Sequence, residues 1–347
     1  MPNVKLDGAL LLSMRKGVHL IRYNNIEYKL LGRGGEANVY IVSPEVAIKV
    51  YRYPVDSDTL YRELFITDAL RSIDGLENHI VRFVSDPITD LDTSITYMLM
   101  ELYDGDLDKW ADLTTNHTDD EWLSMLFQVT YSFLTMNGAG VLHGDPKPKN
   151  VFYKKHTSSS TSTVVVDGTE FSIRSVYDFV IGDFSRARLA EFDPDISSVL
   201  LAGSSGTLDL YTDLVNRSDL YELSKIIHRA MVNILSRHYS HTQISDIVES
   251  HYKTDVSFKA RIDGVRTDLK SVVLSGPQDS AAKIKQKMEY RAYLYALIEA
   301  ERITVDDVKK FDKSVVFPSN RVIDILGRLT NPAETLKTLF FFFIRPA

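Results

Sequence analysis

The pattern of apolar residues changes once along this chain, close to Asp104, and that change limits the folds it can adopt. Before it, short β-branched runs predict strands at residues 18–23, 26–31, 39–42, 46–51, 80–84 and 95–101. A helix is predicted at 58–72, where Leu60, Leu64 and Leu70 follow a helical spacing. After Asp104 helical patterns dominate. The order of elements predicts an α+β fold, with a small N-terminal β-rich part and a larger, mainly helical C-terminal part.

The C-terminal part has its own local signals. Thr118 and Glu121 have the spacing of a capping box, which predicts a helix that ends near Gly138. An insertion follows near residues 154–178. Its Ser/Thr run at 157–163 predicts a mobile surface loop, and the segments that follow predict a hairpin at 164–173 and a returning strand at 177–181. Helical spacing, as at 220–227 and 290–297, continues towards the end of the chain.

Composition excludes several classes of function. The chain has no cysteine, which rules out disulfides, thiolate zinc sites and cysteine nucleophiles. Its net charge of −7 argues against a broad nucleic-acid-binding surface. The apolar runs at 9–12 and 339–344 are too short for a signal peptide or a membrane span, and the second predicts a helix docked on the core. We therefore expect a cytoplasmic protein with no nucleic-acid partner and no membrane span.

The most informative motif is the octet His-Gly-Asp-Pro-Lys-Pro-Lys-Asn at residues 143–150. Phosphoryl transfer from ATP needs an acceptor for the substrate hydroxyl proton, a cation for the migrating phosphoryl group and a metal ligand. Asp145, Lys147 and Asn150 supply these three groups on one short loop. The reaction asks for little covalent chemistry from a protein, so positioning and charge neutralisation provide most of the catalysis.

This octet resembles the catalytic loop of protein kinases, H-R-D-L-K-P-x-N in its common serine/threonine form, with Gly144 and Pro146 as departures. The resemblance implies that Asp145 orients the substrate hydroxyl and accepts its proton. It also implies that Lys147 neutralises the γ-phosphoryl group and that Asn150 binds a magnesium ion. Gly144 replaces an arginine that often pairs with a phosphorylated activation loop, which argues against control through that pair.

Two N-terminal motifs resemble the nucleotide-binding elements of the same family. Gly32, Gly34 and Val39 match the loop G-x-G-x-x-G-x-V, in which glycine lets the backbone approach phosphate closely. Ala37 replaces the third glycine and Gly35 adds another, and an ordinary glycine-rich hairpin turn would explain the same pattern equally well.

The next strand carries Ala47 and Lys49 in a V-A-I-K context, so the resemblance aims Lys49 at the α- and β-phosphates. Its partner carboxylate is expected to be Glu63 on the following helix, in a register supported by the Asn-His-Ile-Val segment at 78–81. The family hinge would follow, with Glu101 and Leu102 offering backbone groups to the adenine edge.

The ribose contact is assigned to Asp106, with Asp104 and Asp108 as competitors. Asp183 opens a segment that resembles D-F-G, and its carboxylate is expected to bind magnesium. Ser185 occupies the third place of that motif and loses the backbone freedom of glycine.

Three further residues and one missing motif complete the comparison. His143 is expected to be a packed structural residue, and Asp219 is expected to support the backbone of the catalytic loop. Thr207, after Gly206, resembles the end of an activation segment, but no A-P-E motif is recognisable there. The segment that would hold a peptide substrate is therefore short or divergent.

The chain is identified, over roughly residues 25–230, as a divergent member of the eukaryotic-type protein kinase family. The resemblance implies a two-lobed fold, with an N-terminal lobe at residues 1–102 and a C-terminal lobe at 103–347 that ends in a helical extension. It also implies ATP and Mg²⁺ as cofactors. Lys147 and Pro148 favour the serine/threonine form of the loop, so the expected partner is a protein with a serine or threonine hydroxyl. The oligomeric state is not indicated.

Two alternatives stay open. His143, Gly144 and Asp145 also resemble the H-G-D of aminoglycoside and choline kinase-like enzymes, which act on small molecules. A catalytically silent scaffold with the kinase fold is the other alternative, favoured by Ser185 and Ala37.

Overall fold

The computed structural model describes residues 6–111, 117–166, 168–189 and 240–254, together with Asp219, Leu223, Ile226, Ala230 and Val256. The predictions for Gly206 and Thr207, for the A-P-E position, for the helical pattern at 290–297 and for the apolar run at 339–344 lie outside these residues. Within them, no helix is long and apolar enough to cross a membrane.

The N-terminal part is a six-stranded antiparallel sheet with the order β1-β2-β3-β4-β6-β5. Its strands are β1 (Leu20–Tyr23), β2 (Ile26–Arg33), β3 (Ala37–Ile41), β4 (Val46–Tyr51), β5 (Ile88–Asp90) and β6 (Ile95–Glu101). Asn24 and Asn25 join the first two strands as the predicted tight turn, with φ angles of 49° and 63°. Asparagine tolerates this left-handed conformation, which matches the twist of the strands that a two-residue hairpin connects.

Two helices flank this sheet. The first, α1 (Gly8–Arg15), was not predicted from the sequence. Its end is held by the buried Asn38, whose Nδ2 donates to the carbonyls of Met14 and Arg15 at 2.9 Å each. The second, α2 (Ser57–Arg71), lies close to its predicted range. The Asn38 contacts attach α1 to β3 through long-range hydrogen bonds that local sequence patterns do not reveal.

The strand predicted at 80–84 is wrong. This segment makes only two isolated bridges, from Ile80 to Ile181 and from Phe83 to Met100. Its backbone is shared between the two parts of the molecule, because Val81 N–H donates to Ile181 O at 2.8 Å while Glu101 N–H donates to Arg82 O at 2.9 Å. Ile80 and Val81 are buried here in a connection between the parts rather than in a ladder.

The described C-terminal part combines helices with a long hairpin. Its elements are β7 (Gly105–Asp106), α3 (Leu107–Trp110), α4 (Asp119–Gly138), β8 (Val141–Leu142), β9 (Val151–Val166), β10 (Thr169–Ile181), β11 (Arg188–Leu189) and α5 (His241–Thr254). The predicted capping box is present: Glu121 N–H donates to Thr118 Oγ1 at 3.2 Å, and Thr118 N–H donates to Glu121 Oε2 at 2.7 Å. Helix α4 packs on β10, where the Gln128 side chain bonds both Tyr177 O and Phe179 N at 3.0 Å.

The Ser/Thr run at 157–163 is not a loop, which corrects the sequence prediction. It lies within β9 and pairs with β10 in antiparallel register, for example Ser162 with Ile173 and Ser160 with Ser175. Its side chains are exposed, so composition alone favours a loop. The strand forms because β10 buries Phe171 and Ile173 and offers β9 an ordered backbone to pair with. The predicted hairpin and returning strand are thus parts of one hairpin.

Candidate active site

A cavity of about 400 Å³ separates the hairpin β2–β3 from the octet loop. With the exception of Leu102, it is lined by every site residue that the sequence predicted. These residues are Gly32, Gly34, Gly35, Val39, Ala47, Lys49, Glu63, Glu101, Asp106, Asp145, Lys147, Asn150 and Asp183. The cavity is large enough for a small organic ligand, and its charged groups converge from several separate segments.

A buried ion pair forms the inner wall. Lys49 Nζ on β4 donates to Glu63 Oε1 on α2 at 2.9 Å and to Oε2 at 3.2 Å, and lies 3.5 Å from Asp183 Oδ1. The side chain of Glu63 is 1% exposed and that of Lys49 12%. Burial lowers the pKa of Lys49, but attraction to Glu63 and Asp183 outweighs it, so the net pKa is raised well above its usual value. Lys49 therefore stays cationic and faces the cavity.

The glycine-rich turn between β2 and β3 closes one side of the cavity. Gly34 N–H donates to Ala37 O at 2.8 Å, and Arg52 Nη1 donates to Gly34 O at 3.1 Å. A Cβ atom at Gly32 or Gly35 would meet no other atom within 4 Å, so the protein's own packing does not require glycine at these two positions. Glycine there leaves backbone accessible to a ligand, which suits close contact with phosphate.

The octet loop forms the opposite wall. Asn150 is buried, and its Nδ2 donates to Asp145 O at 2.8 Å, while Lys147 Nζ contacts the Asp145 carboxylate. A 3-10 turn at Pro148–Asn150 ends the loop. Gly182 N–H donates to Asn150 O at 2.9 Å and thereby ties the loop to the segment that carries Asp183.

Asp219 anchors the start of the same loop, as predicted. Its fully buried carboxylate accepts from His143 N–H at 2.6 Å and from Gly144 N–H at 3.0 Å. Burial raises the pKa of Asp219, although His143 and these hydrogen bonds act in the opposite direction. His143 is itself fully buried, with Nε2 3.0 Å from Gly182 O, so the nitrogen facing this carbonyl carries the proton. The geometry agrees with a structural role for His143.

Gly144 has a backbone reason to be glycine. Its φ is +77°, and an added Cβ would lie 2.5 Å from the carbonyl oxygen of Arg186. An arginine could not occupy this position without moving the backbone. The departure from the common loop sequence is therefore a property of the local fold.

Asp183 follows the end of β10 in a left-handed conformation, with φ 66° and ψ 62°. Burial raises the pKa of this carboxyl, but Lys49, His143 and Lys147 and a hydrogen bond from Ser185 outweigh it, so its pKa is lowered. Ser185 Oγ lies 3.3 Å from Asp183 Oδ1. The serine thus supports the charged carboxylate, a contact that the sequence comparison did not anticipate.

Leu102, which is predicted to offer a backbone group to the adenine edge, does not line the cavity. Its N–H is used within the protein, because it donates to Glu45 O at 2.9 Å. Tyr103, the next residue, does line the cavity. The sequence pattern missed Tyr103 because an aromatic residue after a strand is equally typical of a core position. The turn that follows β6, rather than the strand pattern, decides which residue reaches the cavity.

The three aspartates considered for the ribose contact have different surroundings in the structure. Asp104 Oδ2 accepts from Lys155 N–H at 2.7 Å and so binds the backbone of the β9–β10 hairpin. Asp106 lines the cavity, although its Oδ1 also caps α3 by accepting from Lys109 N–H at 2.8 Å. Asp108 is not among the residues lining the cavity.

The donor set fits magnesium better than a metal held wholly by protein. Asn150 and Asp183 line the same cavity and provide oxygen ligands. Among the described residues, no group of three or more histidine or acidic side chains could hold a metal by itself. Magnesium is commonly bound by one or two protein ligands together with substrate phosphates and water, which matches this pair.

No protein-family model matches this chain, and no curated protein matches it. Among solved structures, it is similar to the crystal structure of the kinase domain of PF14_0431, at 15% identity. That match covers 93% of this chain and 96% of that chain, with a TM-score of 0.44. A likeness of this size does not distinguish one activity from another.

Proposed function

We propose that this protein is an ATP-dependent protein serine/threonine kinase of the protein-kinase fold. The observation that carries the proposal is the convergence of Lys49, Glu63, Asp145, Asn150 and Asp183 on one cavity. Phosphoryl transfer needs cationic and metal-binding groups for the phosphates and a group that activates the substrate hydroxyl. The buried ion pair supplies Lys49 for the phosphates, and the octet loop supplies Asp145 for the hydroxyl and Asn150 for the metal.

Each residue then has a defined task. Lys49, held by Glu63, contacts phosphate oxygens, and the glycine-rich turn lies over them. Asp145 orients the substrate hydroxyl and accepts its proton as the bond from oxygen to the γ-phosphorus forms and the bond to the β-phosphate oxygen breaks, releasing ADP. Lys147 neutralises charge on the transferred group. Asn150 and Asp183 would hold magnesium, which would supply neutralisation of the phosphate charge.

The experiment is transfer of labelled phosphate from ATP to a panel of proteins, with mapping of the modified residues. Asp145→Ala should lower the transfer rate by about 10²- to 10⁴-fold, the usual contribution of a positioned base, while leaving ATP binding largely intact. Asp120→Ala, at an exposed position in the first turn of α4, is the matched control and should retain the wild-type rate.

Two outcomes would contradict the proposal. Transfer only to a sugar or an amino alcohol would favour a small-molecule kinase. Wild-type protein that binds Mg-ATP but never turns it over would favour a binding scaffold.

A further inference from the structure

Tyr51 lies two residues after Lys49 on β4, so both side chains project from the same face of the sheet. The tyrosine is 2% exposed, and Lys49 Nζ lies 5.2 Å from the centre of its ring. The phenol oxygen is 3.1 Å from Glu63 Oε2. Nothing in the motif comparison assigned a role to this residue.

The hydrogen bond has a defined direction. An ionised carboxylate can only accept, so the Tyr51 hydroxyl donates to Glu63. Burial raises the pKa of Tyr51, and Glu63 raises it further, while Lys49 acts in the opposite direction. The phenol is therefore neutral at physiological pH and available as a donor.

Glu63 depends on few partners. Oε1 accepts from Lys49 at 2.9 Å, whereas Oε2 has the longer Lys49 contact at 3.2 Å and the Tyr51 hydroxyl at 3.1 Å. A carboxylate that is 1% exposed has little water to replace a lost donor. Removal of the hydroxyl therefore leaves a poorly satisfied buried oxygen, and that cost falls if α2 moves so that Glu63 reaches solvent.

We propose that Tyr51 is a positioning residue that holds Glu63, and with it helix α2, in the arrangement that pairs with Lys49. The inference rests on the proposed kinase function, because the ion pair matters for phosphate placement only in that case. Gly144 replaces the arginine that would pair with a phosphorylated loop. In this protein the contact between Tyr51 and Glu63 would instead keep the site assembled. Tyr51 acts through Glu63 and does not touch the reacting atoms.

The first test is a double-mutant cycle on full-length protein. Tyr51→Phe should lower kcat about tenfold, the size expected for one lost hydrogen bond to a charged group. In a Glu63→Ala background the hydroxyl has lost its carboxylate partner and keeps only its 3.5 Å contact with Met98 Sδ, so the same change should alter kcat less than about twofold. An equal loss in both backgrounds would show that Tyr51 supports the structure generally and would overturn the proposal.

A matched control is Tyr40→Phe on the neighbouring strand. Tyr40 is also fully buried, and its hydroxyl bonds Met14 O at 3.2 Å and Val18 O at 2.9 Å, away from the cavity. This variant should lose stability to a similar extent while retaining the wild-type kcat. A loss of kcat equal to that of Tyr51→Phe would count against a specific role for Tyr51.

The second test needs no activity. Amide hydrogen exchange in α2 of the nucleotide-free protein should be about tenfold faster in Tyr51→Phe than in wild type, and unchanged in Tyr40→Phe. If the wild-type protein is an active kinase but α2 exchange is unchanged in Tyr51→Phe, the positioning role is refuted and the kinase function stands. An inactive wild type would refute the kinase function, while faster exchange would still support the contact.

Discussion

Replacing Gly144 by alanine should lower the free energy of unfolding for two reasons that the structure gives. The first is the left-handed backbone, because φ is +77° and side chains with a Cβ atom are disfavoured there by about 1–2 kcal/mol. The second is steric, because the added Cβ would lie 2.5 Å from Arg186 O. Overpacking of this kind costs typically about 1–3 kcal/mol.

Gly168 provides the matched control. Its φ is +72°, but an added Cβ would meet nothing within 4 Å, so Gly168→Ala has the backbone cost alone. Alanine also restricts the unfolded chain, which returns about 0.4–1 kcal/mol in both variants. We therefore expect losses of about 1 kcal/mol for Gly168→Ala and about 2–4 kcal/mol for Gly144→Ala.

Urea unfolding followed by circular dichroism measures both free energies under identical conditions. Equal losses in the two variants would refute the steric argument, and a stabilised Gly144→Ala protein would refute the assigned backbone conformation as well. The same geometry predicts that Gly144→Arg is destabilising rather than activating, although arginine is the common residue at this place in the protein-kinase loop that the octet resembles.

Three other predictions follow from single contacts. Asp219→Ala removes the acceptor for the His143 and Gly144 amides and should lower the free energy of unfolding by about 2–4 kcal/mol, measured in urea. The pKa of Asp183 is lowered in the folded protein, so this carboxyl contributes stability above its unfolded pKa that is lost as the pH falls through its folded value. The free energy of unfolding of Asp183→Asn should therefore fall less with decreasing pH than that of the wild type. An identical pH dependence in the two proteins would contradict the lowered pKa of Asp183. Thr118→Ala should cost about 1 kcal/mol in thermal unfolding through loss of the capping box.

The sequence predicted best those features that depend on near neighbours. The Asn24–Asn25 turn, the capping box at Thr118 and strands β4 and β6 all follow from residue types within a few positions of one another. It failed at the Ser/Thr run of β9, because a strand with exposed polar side chains is held by its partner strand. Local composition cannot report such a partner.

For the site, the sequence determined which chemical groups are present and in what order. Lys49, Glu63, Asp145 and Asp183 could be chosen because their local contexts resemble protein-kinase motifs. The tertiary structure decided what surrounds them. It turned Tyr103 rather than Leu102 towards the cavity, placed Gly144 against the Arg186 carbonyl, and brought the Tyr51 hydroxyl to Glu63. These outcomes depend on backbone direction and on contacts between distant segments, which no short pattern of residues encodes.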